Sequence, residues 1–301
     1  MTDICIIGGG TAGLTAAIYG LRAGKSVKLI EELTYGGQII NSNSIENYPG
    51  FKNISGYEFS TALYEQALEQ GLDFIADTCI ELVKAEDKFT ISCKENTIEA
   101  KTVIIATGVK RRKLNVPGEE RLAGNGVSYC ATCDGAFFKG RDVAICGGGN
   151  TALDEAIFLS NYCSKVILIH RREEFRGSSN KLSLLEARNN VEIIKNSTIL
   201  CVNGTEEVSS ITYRDNITGK SVEKPVSGVF VAIGQAPDNS FAAKIVNLDE
   251  SGYVIANEDC KTNVFGLFTA GDCRTKEIRQ LTTATADGTV AALQACKYID
   301  M

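Results

Sequence analysis

Tryptophan is absent from this 301-residue chain, and nothing follows from that, but three other scarcities narrow the field. Histidine occurs once, at His170. Beyond the single pair Cys130 and Cys133, no Cys/His group has metal spacing, so no four-ligand zinc site is expected. Positive charge is also short. With 31 Lys and Arg against 37 Asp and Glu, the net charge of −6 lacks the clustered excess that a nucleic acid or an anionic membrane surface requires. Neither is expected as a partner. No stretch approaches the ~20 apolar residues of a membrane span. The opening Asp3-Ile4-Cys5-Ile6-Ile7-Gly8 shows no basic leader and no small-residue cleavage site, so a cytoplasmic protein is expected.

The 11 cysteines are odd in number and scattered, which does not suit a disulfide framework; most read as small buried hydrophobes. Asn53 and Asn196 begin Asn-x-Ser/Thr triplets, read as chance in the absence of a secretory signal. There is no low-complexity segment.

What the chain does contain is an internal repeat. An apolar strand, Ile4 to Ile7, runs into Gly8-Gly9-Gly10-Thr11-Ala12-Gly13, a helical stretch to Gly24, and a strand Val27 to Ile30 that ends at Glu31. A second strand, Val143 to Cys146, runs into Gly147-Gly148-Gly149-Asn150-Thr151-Ala152, a helical stretch to about Asn161, and a strand Val166 to Ile169 that ends at His170. Gly8 to Glu31 and Gly147 to His170 both span 23 positions. Both are βαβ units with a glycine-rich first turn, so the fold class is α/β with two Rossmann-like dinucleotide-binding domains.

Between the repeats, a helical pattern covers Glu58–Gln70, alternating strands cover Phe89–Cys93 and Thr97–Lys101, and a buried strand Thr102–Ile105 leads into Ala106-Thr107-Gly108. Lys110-Arg111-Arg112-Lys113, ahead of Pro117-Gly118, reads as a solvated segment and a domain crossing; Gly234-Gln235-Ala236-Pro237 marks a second crossing. A strand-like Gly266–Ala270 reaches Gly271-Asp272, and a closing helix runs roughly from Thr283 to Ile299. The expected division is a first domain of residues 1–112 and 241–301, with a second, residues 113–240, inserted into it.

In a G-x-G-x-x-G turn the first glycine permits the tight turn, the second lets the backbone approach a pyrophosphate, and the third allows close helix-on-strand packing. Glu31 can accept from ribose hydroxyls and would repel a 2′-phosphate, so the first unit suits FAD or NAD. The second unit has His170-Arg171-Arg172 there, with Arg176 one helical turn on; arginine forks suit the 2′-phosphate of NADP, against the alternative of a solvated turn. Cys130-Ala131-Thr132-Cys133-Asp134-Gly135 has redox spacing, half of a zinc knuckle being the competing reading. Asp134 is either a general acid for a departing thiolate or part of an Asp-Gly turn. A nicotinamide and a disulfide on one inserted domain would have to take turns beside one flavin, which predicts a hinge near the two crossings.

Taken in order, Gly8–Gly13, Gly36-Gly37-Gln38, Glu46-Asn47-Tyr48-Pro49-Gly50, Ala106-Thr107-Gly108, Cys130–Gly135, Gly147–Ala152, His170–Arg172, Gly271-Asp272 and Arg279-Gln280 resemble the low-molecular-weight, bacterial-type thioredoxin reductases, flavoproteins of the pyridine nucleotide-disulfide oxidoreductase family. The resemblance covers essentially the whole chain. It implies FAD held by the outer segments, with Asp272 on the ribityl-phosphate side and Gln38, Asn47, Arg279 and Gln280 near the flavin. It further implies an inserted NADPH domain that rotates, a homodimer, and thioredoxin or a similar protein as electron acceptor. Cys133 is then the thiol nearest the flavin, Cys130 the one that attacks the partner disulfide, and Asp134 the acid.

Phe137 and Phe138 resemble an exposed pair that docks thioredoxin, with core packing as the alternative. Asn125 departs from the family, which commonly has a basic residue there, and leaves the identity of the acceptor open. The competing functions are a flavin dithiol oxidase, against which the intact arginine set speaks, a ferredoxin-fed flavin reductase, which tends to lose the second glycine motif kept here, and a non-enzymatic flavin-binding regulatory module.

Overall fold

The structure, a computed structural model, describes residues 1–42 and 44–301 and divides into two compact units, Met1–Lys110 with Ala236–Met301, and the inserted Arg111–Gln235. The first begins with β1 (Thr2–Ile7), α1 (Thr11–Arg22) and β2 (Val27–Glu31). Along β1, Ile4 and Ile6 enter one apolar cluster while Cys5 and Ile7 enter another. The strand is therefore buried on both faces, and its sequence is a continuous apolar run rather than an alternation.

Next come α2 (Gly56–Glu69), β3 (Asp73–Ala76), β4 (Cys79–Lys84), β5 (Phe89–Cys93) and β6 (Thr97–Ile105). Ser55 starts α2: its Oγ accepts the Glu58 N–H at 3.1 Å, and the Glu58 carboxylate accepts the Ser55 N–H at 3.1 Å. The sheet order is β3-β2-β1-β6-β5-β4, parallel from β3 to β6 and antiparallel beyond.

The chain crosses at β7 (Lys110–Arg111), where the basic tract is exposed and partly paired, Lys110 with Asp238 and Lys113 with Glu120. The second unit continues with β8 (Val127–Ser128), α3 (Ala131–Asp134), β9 (Asp142–Cys146), α4 (Asn150–Leu159), β10 (Lys165–Ile169), α5 (Ser179–Glu186) and β11 (Val191–Ile194). An antiparallel ribbon of β12 (Ser197–Gly204), β13 (Val208–Asp215) and β14 (Ser221–Pro225), which the sequence pattern did not reveal, precedes β15 (Gly228–Val231). The main sheet is wholly parallel in order β11-β10-β9-β15-β8, with an apolar cluster on each face. β16 (Gln235–Ala236) pairs with β7 at the return crossing.

Back in the first unit, β17 (Leu267–Thr269) pairs with the second half of β6, whose first half pairs with β5. The final helix, α6 (Leu281–Ile299), packs on α1 through Gly288, Ala291, Ala292 and Ala295. A Cβ on Gly288 would overlap the Ala12 carbonyl oxygen, so that approach requires glycine. No helix among the described residues is long and apolar enough to cross a membrane.

Candidate active site

In the first unit the glycine turn joins β1 to α1 where the ends of β1 and β6 lie side by side, the point at which strand order reverses and at which open α/β sheets bind ligands. Gly8 sits at φ +112, with the Ala106 carbonyl where its Cβ would be, and the Gly8 carbonyl occupies the place of a Cβ on Gly13. Gly10 differs. The nearest atom to a Cβ there is the Cα of Gly37, 3.9 Å away.

Gly10 is also the N-cap of α1, and no side chain caps the helix, so its first amides face a cradle walled by two glycines. Thr11 and Ala12 are buried in the first turn. Glu31 ends β2 with Oε2 accepting the Gly9 N–H at 2.6 Å and Oε1 accepting the Leu33 N–H at 3.0 Å. The Gly36 N–H donates to the Gly9 carbonyl at 2.7 Å and so fixes the Gly37 wall. Uncapped amides, bare walls and a carboxylate at the rim fit the pyrophosphate and ribose of a dinucleotide.

The other expected residues of this unit fall into bonded pairs. Asn47 Nδ2 donates to Gln280 Oε1 at 3.4 Å, Arg279 Nε donates to the Asp272 carbonyl at 3.3 Å, and the Arg279 guanidinium lies 4.3 Å from the Tyr253 ring centroid. Gln38 is exposed in the Gly37–Asn41 turn. Thr107, before Gly108, donates from Oγ1 to Asn239 Oδ1 at 2.9 Å.

Sequence reasoning missed what holds the Gly271-Asp272 turn. Asp287 of α6 accepts the Gly271 N–H at 2.9 Å, Arg274 Nε and Nη2 at 2.8 and 2.9 Å, and Lys276 Nζ at 2.9 Å, with Arg274 only 1% exposed. Burial pulls the Asp287 carboxyl upward, but the bonds from Arg274 and Lys276 hold it below its ordinary value. No spacing rule marks such a cluster, because its members meet only through packing.

In the second unit the glycine turn joins β9 to α4. The Ala232 carbonyl fills the place of a Cβ on Gly147, while a Cβ on Gly149 would meet nothing within 4 Å. Gly149 caps α4, again without a side-chain bond, followed by Asn150, exposed Thr151 and fully buried Ala152. Asn150 Oδ1 accepts the Ser178 N–H at 2.8 Å, and the Arg176 and Gly177 N–H groups donate to the Gly148 carbonyl at 2.8 and 3.1 Å.

His170 is only 5% exposed. Its ring lies against Phe175 and fills the space beside Gly148, and with Nε2 as the donor it bonds the Glu174 carbonyl at 3.0 Å. Burial and the neighbouring arginines lower its pKa, which favours the neutral ring. Arg171 and Arg172 follow the end of β10, and Arg176 is tied to the turn through its backbone; all three are exposed and form no ion pair among the described residues.

Cys130 and Cys133 are joined as a disulfide with Cα atoms 5.3 Å apart, and the other nine cysteines are free. The Cys130 N–H donates to Ser128 Oγ at 3.1 Å, and that hydroxyl donates to Asp134 Oδ2 at 2.6 Å. Burial raises the Asp134 pKa, with the Ser128 bond and the Arg111 charge opposing. A carboxyl with a raised pKa beside a dithiol is suited to giving and taking a proton.

Phe137 is 45% exposed, whereas Phe138 is 8% exposed and packs edge-on against Phe230, 5.3 Å between centroids. The aromatic pair expected at the surface is therefore split, because Phe138 fills the space over Gly228. Asn125 is exposed, its carbonyl accepting the Val208 N–H at 3.1 Å. No group of three or more His, Cys, Asp or Glu among the described residues is placed to hold a metal ion.

Two glycine-rich turns at uncapped helix N-termini and a Cys130–Cys133 disulfide in an α/β fold point to a class, and comparison with known proteins agrees. Residues 2–288 match the family described as pyridine nucleotide-disulphide oxidoreductase, and the chain belongs to that family, as a flavin- and nicotinamide-linked oxidoreductase. Within it, the chain is 38% identical over 303 residues to the thioredoxin reductase of Bacillus subtilis, covering 99% of this chain and 95% of that one. It is 41% identical over 298 residues to the 34.2 kDa protein in rubredoxin operon of Clostridium pasteurianum, covering 99% and 97%. The solved thioredoxin reductase of Streptococcus pyogenes matches with a TM-score of 0.97 at 38% identity, over 100% of this chain and 98% of that one.

Proposed function

We propose that the protein is an NADPH-dependent thioredoxin reductase of the cytoplasm, acting as a homodimer, with FAD on the first unit, NADPH on the second, and thioredoxin or a thioredoxin-like protein as acceptor. The observation that carries this is the placement on one compact unit of a disulfide-bonded Cys130 and Cys133, a Ser128-bonded Asp134 and a glycine turn with exposed arginines past its second strand. The similarity to named thioredoxin reductases over 99% of the chain supports the acceptor.

The α1 amides and Glu31 hold the FAD pyrophosphate and ribose, Gln38, Asn47, Asp272, Arg279 and Gln280 line the rest of that cofactor, and Arg171, Arg172 and Arg176 take the NADPH 2′-phosphate. The flavin supplies the conversion of a two-electron hydride donor into a reductant of disulfides. Cys130 and Cys133 accept two electrons and two protons to become a dithiol. The Cys130 thiolate then attacks one sulfur of the acceptor disulfide, and Asp134 protonates the acceptor thiolate that departs. Attack of Cys133 on Cys130 breaks the mixed disulfide, releases the second acceptor sulfur as a thiol and restores the starting pair.

Anaerobic titration of the yellow holoprotein with NADPH, followed by thioredoxin, tests the relay. NADPH is expected to bleach the flavin, and thioredoxin to restore the colour. Cys130→Ser should still bleach with NADPH yet lose more than about 99% of thioredoxin turnover, a group required for a covalent step. Surviving turnover in that variant would sink the dithiol relay.

A further inference from the structure

One carboxyl behind the cysteine pair has no part in the steps above. α4 turns a single face toward the Cys130–Gly135 segment, with Glu155, Phe158 and Leu159 at i, i+3 and i+4, and Tyr162 adds to it from the turn that follows the helix. A Cβ on Gly135 would meet the Tyr162 hydroxyl, Leu159 Cδ2 and the Phe158 ring within 3.4 Å, so that face is pressed against the segment. One turn earlier on the same face, the Glu155 carboxylate lies near enough to the backbone N–H of Ala131, the residue following Cys130, for that dipole to favour its charged form. Its Oε2 is shut off from solvent with no hydrogen-bond partner among the described residues. The charged groups that face it are Arg111 from the crossing strand, Asp134 from α3, and Asp154 on its own helix, the last ion-paired at 2.6 Å to Lys181 of α5. Burial pushes the Glu155 carboxyl up to about 7, with the Ala131 N–H dipole and Arg111 opposing and Asp134 and Asp154 reinforcing.

We infer that Glu155 is a positioning residue for the dithiol, buried behind the segment that carries the two cysteines and setting, by its own charge, the pH at which the reduced pair yields a thiolate. Ionised, it places a negative charge behind the segment and opposes a second one on sulfur; protonated, it does not. Loss of the thiol proton to solvent leaves the sulfur anionic and transfers no electron, so Glu155 and the dithiol titrate as a coupled set. Asp134 differs in role. It is bonded to Ser128 and serves the departing thiolate, whereas Glu155 backs the segment from α4.

This inference rests on the reading of Cys130 and Cys133 as a working dithiol, and it is tested on reduced holoprotein with Glu155→Gln, which keeps an oxygen near the Ala131 N–H but cannot ionise. The rate of iodoacetamide labelling of the Cys130/Cys133 peptide, followed by mass spectrometry from about pH 5.5 to 9, reads thiolate directly. The parent should show two inflections, one near neutral pH, and the variant one. Above neutral pH the variant should label on the order of threefold to tenfold faster, as a thiol pKa lowered by up to about one unit requires. Superimposable profiles would overturn the role.

Thioredoxin turnover by the parent, measured alongside, separates the two ideas: its absence defeats the proposed function, while the labelling profiles still decide Glu155. Should Glu155→Gln fail to fold, the oxidised-minus-reduced infrared spectrum of parent protein carrying 13C-glutamate decides instead. A protonated-carboxyl band that shifts with the label is expected, the label distinguishing Glu155 from Asp134, and its absence overturns the proposal.

Discussion

The two glycine turns use one backbone device to opposite electrostatic ends. Gly8, Gly9, Gly10 and Glu31 stand 139 positions before Gly147, Gly148, Gly149 and His170, and the correspondence extends to contacts. The Ala106 carbonyl crowds Gly8 as the Ala232 carbonyl crowds Gly147, and a chain returning from the second strand bonds the Gly9 carbonyl in one unit and the Gly148 carbonyl in the other. What differs is the rim. Glu31-Glu32-Leu33 becomes His170-Arg171-Arg172, and Gly37 becomes Arg176. Backbone geometry is thus shared by the two turns, and on the proposed function the side chains past the second strand are what distinguish one ribose from the other.

The comparison breaks hardest at the third position of the turn. Gly13→Ala forces a Cβ into the Gly8 carbonyl and should cost on the order of 3 kcal/mol or more with loss of bound flavin. The matching Ala152→Gly should cost only about 1 kcal/mol, the helix-propensity difference, in urea unfolding. Equal penalties would show that the turns are not equivalent in packing.

Giving the second rim the first rim's residues, by Arg171→Glu with Arg172→Leu, should weaken NADPH by on the order of 100-fold, two charge-assisted contacts, while NADH changes little. A common loss for both nucleotides in KM would mean that these arginines do not read the 2′-phosphate.

A smaller asymmetry is expected at the middle glycine. A Cβ on Gly148 would enter the buried His170 ring, whereas one on Gly9 would approach the Glu31 side chain at 3.1–3.2 Å. Gly148→Ala should therefore cost roughly 1–3 kcal/mol, with Gly9→Ala costing less; thermal melts that ranked them the other way would contradict the packing described here.

The mildest effect is a pH dependence confined to the second unit. The folded state disfavours protonated His170, so the unfolded chain binds more protons as pH falls through about 6.5, and stability drops below that point. His170→Gln should flatten melting temperatures between about pH 7.5 and 5.5, and an unchanged slope would assign the titration elsewhere.

Legibility in the sequence followed the range of the interaction. The turns, both βαβ units and the Cys pair are local patterns, and the helix expected over Glu58–Gln70 forms at Gly56–Glu69, started by the Ser55 and Glu58 cap. Long-range placement left no such trace. Thr97–Lys101 and Thr102–Ile105 read as two strands because β6 changes partners halfway along, from β5 to β17, and so changes pattern from alternating to fully apolar. Phe137 and Phe138 are neighbours of equal hydrophobicity, and only the Phe230 and Gly228 pocket separates them. Asp287, Arg274 and Lys276 lie within one short stretch, yet nothing in their spacing announces that all three are buried together.

The split partnership of β6 also has a consequence for synthesis. Its second half and one side of α1 wait for β17 and α6, which follow the inserted unit along the chain, whereas every strand of the inserted unit's two larger sheets has emerged by residue 231. A chain made from its N-terminus completes the inserted unit first and carries the first unit unfinished until α6 has emerged. The growing chain therefore exposes the apolar flank of α1 until α6 arrives to cover it.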